Sequence, residues 1–207
     1  MSPNKCPLCA FDLLDAPRNG DNWMTYFECP HCGNYKIERD TLDDLPFYYQ
    51  KKSELGHILS HLTRRVQLTT DTKWAPINSE QIQKIIETGS LPNPQEQAEY
   101  LLHWLGTNLT GPGESIKISW MTHGAIIGAK SSNGFDFIVS GLMSEGLIPE
   151  QTVNDGEAKV TLTFKGWHKF EELQRGITTG RKAFMAMPYG KADIEDIVDN
   201  FFRPAVK

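Results

Sequence analysis

The chain has no long apolar run, no marked basic excess in any segment and no cysteine beyond four, and each shortage narrows what it can do. The longest apolar stretches, residues 124–129 and 135–139, fall far short of the ~20 residues that cross a bilayer. No membrane association is expected. Residues 1–5 lead straight to Cys6 with no apolar stretch behind them, so no secretory signal is read. Lys plus Arg against Asp plus Glu stand at 4 to 6 in residues 1–40 and 6 to 8 in 41–109. They stand at 6 to 8 in 110–175 and 5 to 4 in 176–207, which together give the net charge of −5. No segment carries the cationic surplus that neutralising nucleic-acid phosphates demands. Large apolar side chains are scarce in residues 1–40, where Phe11, Leu13, Leu14, Trp23, Tyr26 and Phe27 are the main ones. A segment so poor in them cannot bury enough surface to fold unaided.

The four cysteines supply what that segment lacks. They fall as two CxxC pairs, Cys6-Pro7-Leu8-Cys9 and Cys29-Pro30-His31-Cys32, nineteen residues apart. Two such turns offer four thiolates, the soft tetrahedral donor set of a structural zinc site, and the spacing lies in the usual window. Pro7 and Pro30 fix φ in the turns, and Gly33 supplies permissive backbone after the last ligand. The surroundings do not read as the strand-then-helix setting of a redox CxxC. Zn2+ is therefore expected on Cys6, Cys9, Cys29 and Cys32 as a structural cofactor. Four thiolates close the site and leave His31 as an exposed turn residue. Short strands are expected at Leu13-Leu14 and at residues 23–27. Residues 1–40 resemble a zinc ribbon, a module that binds nucleic acid, binds protein or braces a domain edge. Thiolates kept for metal point to a reducing, cytoplasmic location.

Residues 41–109 read as a helical module. A turn at residues 43–46 is followed by helical spacing over 47–67, with Tyr48, Leu55, Ile58, Leu59, Leu62 and Val66 mostly on one face. His57 and His61 lie one turn apart, but with no third ligand in view they read as solvated side chains. Arg64-Arg65 read as partners of the helix's own last carbonyls. Residues 71–76 read as a loop. Asn78 caps a short helix that Gly89 ends, and Pro94 opens another running to about Asn108.

Residues 110–175 follow the order strand, helix, helix, hairpin, helix. Phe135, Ile138, Val139 and Leu142 face inward on the second helix, and Asn154-Asp155-Gly156-Glu157 makes the hairpin turn. The segment resembles a winged helix, most clearly in Leu142-Met143-Ser144-Glu145-Gly146-Leu147-Ile148 and in Leu162-Thr163-Phe164-Lys165-Gly166-Trp167. A DNA-reading winged helix presents Lys, Arg or Asn to the major groove. Residues 133–145 contain no Lys or Arg, and the wing tip is acidic. Specific DNA binding is not expected; packing or protein contact is.

After a polar linker, residues 183–187 form an apolar run stopped by Pro188, and residues 193–202 carry helical spacing. Strand, loop and helix in that order open an α/β sheet. The run Arg181-Lys182-Ala183-Phe184-Met185-Ala186-Met187-Pro188-Tyr189, with Phe202-Arg203-Pro204-Ala205-Val206, resembles the first strand and helix of bacterial TIR-like and nucleoside-deoxyribosyltransferase-like domains. That resemblance implies a nucleotide ligand near Tyr189, Gly190 and Lys191, and N-glycosidic cleavage of NAD or a nucleoside. It covers about the last 27 residues, and no position matches the family's catalytic carboxylate, so no catalytic residue is assigned.

The expected fold is thus mainly α with small β elements: zinc ribbon (1–40), helical module (41–109), winged helix (110–175), then a linker and the start of an α/β domain (176–207). The expected role is the regulatory or sensing N-terminal region of a TIR-like antiphage effector. Its partners would be a protein or a second copy, met through the helical and winged-helix modules. Enzyme activity is left open: 207 residues are expected to be inactive alone, and the full-length protein would be an NAD hydrolase. The alternative is a DNA-binding transcriptional regulator that uses both ribbon and winged helix.

Overall fold

The computed structural model describes residues 4–70, 72–149 and 157–175. The residues proposed to face a nucleotide, Tyr189, Gly190 and Lys191, lie outside the described residues, as do the strand at 183–187 and the hairpin turn at 154–156. Residues up to Phe170 belong to one compact unit, and Glu171–Lys207 group as a second. Among the described residues the fold is mainly α with two small sheets, as the sequence pattern implies.

The first sheet is built from strands β1 (Arg18–Asn19), β2 (Met24–Cys29), β3 (Gly33–Glu38) and β4 (Ala75–Ile77), in that order across the sheet. β1 to β3 pair antiparallel, and β4 joins β3 in parallel after a crossover through two helices. Alternation decides its two faces. Thr25, Phe27, Tyr35, Ile37, Ala75 and Ile77 are buried, while Tyr26, Lys36 and Pro76 between them point outward. The buried face meets α1 (Arg39–Lys51), α2 (Leu55–Thr69) and α3 (Ser79–Thr88) over a core that includes Leu45, Leu55, Ile58, Leu59, Ile82 and Ile85.

Five elements differ from the sequence expectation, the first being β3, where no strand was expected. Leu13-Leu14 is not a strand and Leu14 is exposed; β1 pairs with β2 in its place. Residues 43–46, read as a turn, lie inside α1. Pro46 cannot donate to the turn before it, at a cost of about 3 kcal/mol, and the complete burial of Leu45 on the same turn offsets part of this. The single helix expected over 47–67 is broken at Lys52, whose extended backbone separates α1 from α2. The loop expected at 71–76 gives way to β4, because Ala75 and Ile77 fit the buried face beside Tyr35 and Ile37.

The helices α4 (Pro94–Asn108), α5 (Trp120–Ile127) and α6 (Ser132–Ser144) pack on one another across the Gly111-Pro112-Gly113 turn. Each start is fixed by local chemistry: a capping box of Asn93 with Glu96 on α4, Ser119 on α5 and Ser131 on α6. Phe135, Ile138, Val139 and Leu142 of α6 are all buried. The second sheet pairs β5 (Ile116–Ser119) antiparallel with β6 (Glu157–Val160), and α7 (Phe164–Gln174) follows. No helix among the described residues is long and apolar enough to cross a membrane.

His123 on α5 sets a pH limit on this packing. Its ring stands edge-on to Trp104 with centroids 4.4 Å apart, and its Nδ1 accepts from Ser119 N–H at 3.1 Å. Burial pushes its pKa down to about 4, so the folded chain holds it neutral where an unfolded chain would protonate it. The unfolded state then binds more protons between pH 6.5 and about 4. His61 and His57, also pushed down by burial, add to the same slope. Stability should be complete above pH 6.5 and fall as the pH drops towards 4. Thermal melts across that range should show it, with a shallower slope in His123→Gln.

Candidate metal centre

Two turns bring the four sulfurs together. The hairpin between β2 and β3 carries Cys29 and Cys32, with Gly33 at φ +81° where a side chain would be strained. The other turn carries Cys6 and Cys9, closed by Ala10 N–H to Cys6 O at 2.9 Å; Ala10 itself sits at φ +61°. All four Sγ atoms lie within 4.8 Å of one another. Cys6 Sγ is 3.7 Å from Cys32 Sγ, and Cys9 Sγ is 3.5 Å from Cys29 Sγ. Four sulfurs at the ~2.3 Å of a metal–thiolate bond stand about 3.8 Å apart in a regular tetrahedron. None of the four is in a disulfide. This donor set can hold one metal ion.

Without a metal the four thiols do not share one charge state. The Cys6 and Cys29 thiols are pushed down, chiefly by hydrogen bonds from Cys29 and Cys32 respectively. Cys9 is pushed up by its hydrogen bond to Cys29, and Cys32 by burial. Four thiols this close cannot all ionise on their own, because each new anion faces the others with little solvent between. A cation at their centre reverses that balance and deprotonates the set.

Surrounding side chains hold the sulfurs in place. Tyr35 Oη, buried on β3, lies 3.0 Å from Cys6 Sγ, and Ser60 Oγ on α2 lies 3.0 Å from Cys32 Sγ. Thr63 donates to Cys32 O at 2.8 Å. Cys32 N–H reaches Cys29 Sγ at 3.4 Å. Gly56 lets the first turn of α2 touch the Cys6–Cys9 turn: a Cβ there would meet Leu8 O at 2.4 Å.

Arg64 links this centre to the helices beyond it. Its guanidinium donates to His31 O at 2.8 Å and to Pro30 O, and reaches Thr122 O on α5 at 3.5 Å. Arg64 thus serves carbonyls of the cysteine turn and of α5 rather than those of its own helix; Arg65 lies over the Tyr100 ring at 4.1 Å. His31, expected to be exposed, is 3% exposed. Its Nδ1 lies 3.0 Å from Met121 O, and its ring meets Phe11 and Trp120 edge-on. His61, expected to be solvated, is buried with Nδ1 2.9 Å from Ala125 O, while His57 is half-buried. The two histidines therefore part, one to α5 and one towards the surface, and neither joins a metal cluster among the described residues.

The cysteines were legible from spacing alone. The roles of Gly56, Ser60 and Arg64 were not, because these residues join the site only through the crossover that lays α2 on the sheet; Tyr35 and His31 are local, but their partners, Cys6 and Met121, are distant in sequence. Replacing Arg64 with Met leaves the Pro30 and His31 carbonyls without their donor. A loss of about 2–3 kcal/mol in urea unfolding is expected, as for hydrogen bonds to a charged group. Amide exchange should rise at residues 30–33 and 120–125 together. Arg64→Lys should recover little, since an ammonium cannot reproduce the fork that serves three carbonyls.

No family model, curated protein or solved structure gives a match to this chain.

Proposed function

We propose that the cysteine cluster binds structural zinc in a reducing, cytoplasmic setting. The chain on this reading is the regulatory or sensing region of a TIR-like antiphage effector, acting through protein contact or self-association. Zinc suits the donor set because four thiolates in a closed, partly buried site match its preference and leave no open position for catalysis. The effector assignment is supported by the sequence resemblance of residues 181–189 and 202–206 alone, which also suggests NAD or nucleoside cleavage and a nucleotide near Tyr189, Gly190 and Lys191.

The observation that carries the protein-contact reading is the outward face of α6. Asn133, Phe137, Ser140, Gly141 and Ser144 are exposed on it, with Phe137 66% exposed and no cation among them. An exposed phenylalanine ringed by small residues suits a protein surface, where a phosphate backbone would find no partner. The alternative reading, a DNA-binding regulator, asks this helix for the cations it lacks.

Purified protein should contain one zinc per chain. Cys9→Ser should lose the metal, and residues 4–38 should lose their amide protection, because metal binding supplies their folding energy. Light scattering should show concentration-dependent self-association that Phe137→Asp lowers, or a protein partner captured by the parent chain and not by that variant. The 207 residues alone should release no nicotinamide from NAD. Sub-micromolar duplex binding at physiological salt, lost on substitution in α6, would overturn the protein-contact reading.

A further inference from the structure

The outward face of the first sheet gathers rings and cations that are scattered along the sequence. Register places Arg18, Tyr26, Lys36 and Pro76 in one row across all four strands. Trp74, one residue before β4, stands edge-on to Tyr26 with centroids 5.1 Å apart. Arg18 lies over the Trp74 ring at 5.5 Å, and Lys73 approaches the same ring at 5.8 Å. At the tip of the β1–β2 hairpin, Trp23 is 74% exposed at φ +59°, with Arg39 5.6 Å from its ring.

We propose that this face is a stacking platform for single-stranded nucleic acid. The chemistry of each part fits such a ligand. Aromatic rings on an open sheet stack bases of any identity, and interleaved cations follow the phosphates. The row spans about 14 Å at the usual strand spacing, room for roughly two or three bases. Glu28 and Glu38 are the acids on this face. Glu28 is ion-paired with Arg18 and Glu38 accepts from Thr41, whereas Lys36 has no acidic partner among the described residues. A phosphate would take Arg18 from Glu28. Segment-by-segment charge misses this surface because Arg18 and Lys36 sit in one net acidic segment, residues 1–40, and Lys73 in another, residues 41–109. A duplex fits it poorly, since paired bases cannot open their faces to the rings. The inference goes beyond the regulatory reading and depends on neither α6 nor residues 181–207.

The test is fluorescence anisotropy of labelled oligo-dT and oligo-U single strands of roughly 15 nucleotides against the 207-residue chain. A duplex of equal length is the comparison. Single strands should bind more tightly than duplex, quench tryptophan emission and weaken with salt at a log–log slope near 0.7 per phosphate contacted. Comparing dT with U separates DNA from RNA as the preferred strand. Lys36→Glu with Lys73→Glu, both surface changes, should weaken binding at least about tenfold, while Lys51→Glu on α1 changes it less than about twofold. Glu28→Gln should strengthen binding by about threefold, because Arg18 is freed for phosphate. That gain cannot come from a damaged fold. No binding at low salt, tighter binding to duplex, or equal loss in the Lys51 and Lys36/Lys73 variants would each overturn the proposal.

Discussion

Four sulfur atoms held within 4.8 Å of one another are the constraint on which the N-terminal half depends. They tie residues 6–9 to the β2–β3 hairpin, and the hairpin to nothing else would be a marginal structure in water. Once the turn is fixed, Tyr35 can stack on Phe27 at 5.0 Å, and the buried face of the sheet becomes a surface that α1 to α3 can cover. Gly56 and Ser60 then bring α2 against both cysteine turns. The cysteine cluster and the helical core are therefore one arrangement, in which each supplies what the other lacks.

Arg64 and His31 carry that arrangement onward. Arg64 is largely withdrawn from water, which pushes its pKa down, yet it stays fully charged because an arginine has so far to fall. The carbonyls of the Cys29–Cys32 turn and of α5 share this one cation. Phe11, His31 and Trp120 close the same seam with edge-on ring contacts. The Cys29–Cys32 turn and α2 thus contact the first turn of α5 through two side chains, His31 and Arg64.

Local chemistry made much of this readable. CxxC spacing names the sulfur cluster, and Asn78, Gly89 and Pro94 mark the helix ends observed. No strand was expected at residues 33–38, although Tyr35 and Ile37 alternate with Lys36 there; the run is short and follows a cysteine turn. What local pattern cannot carry is pairing at a distance. β4 exists because Ala75 and Ile77 meet β3 after the crossover of residues 39–74, and Pro46 sits in α1 because tertiary burial outweighs its propensity. Histidine showed the same limit: His31 and His61 look polar in sequence, and each is buried with its Nδ1 beside a backbone carbonyl of α5. Charge is also redistributed by the fold. The outward face of α6 bears no cation, while the open face of the sheet collects several.

X-ray absorption at the zinc edge of the purified chain tests the central claim most directly. Four sulfur neighbours at ~2.3 Å, with no nitrogen or oxygen in the first shell, are the expected result. A shell containing imidazole or carboxylate ligands, or a chain that folds with its sheet intact and no bound metal, would contradict it.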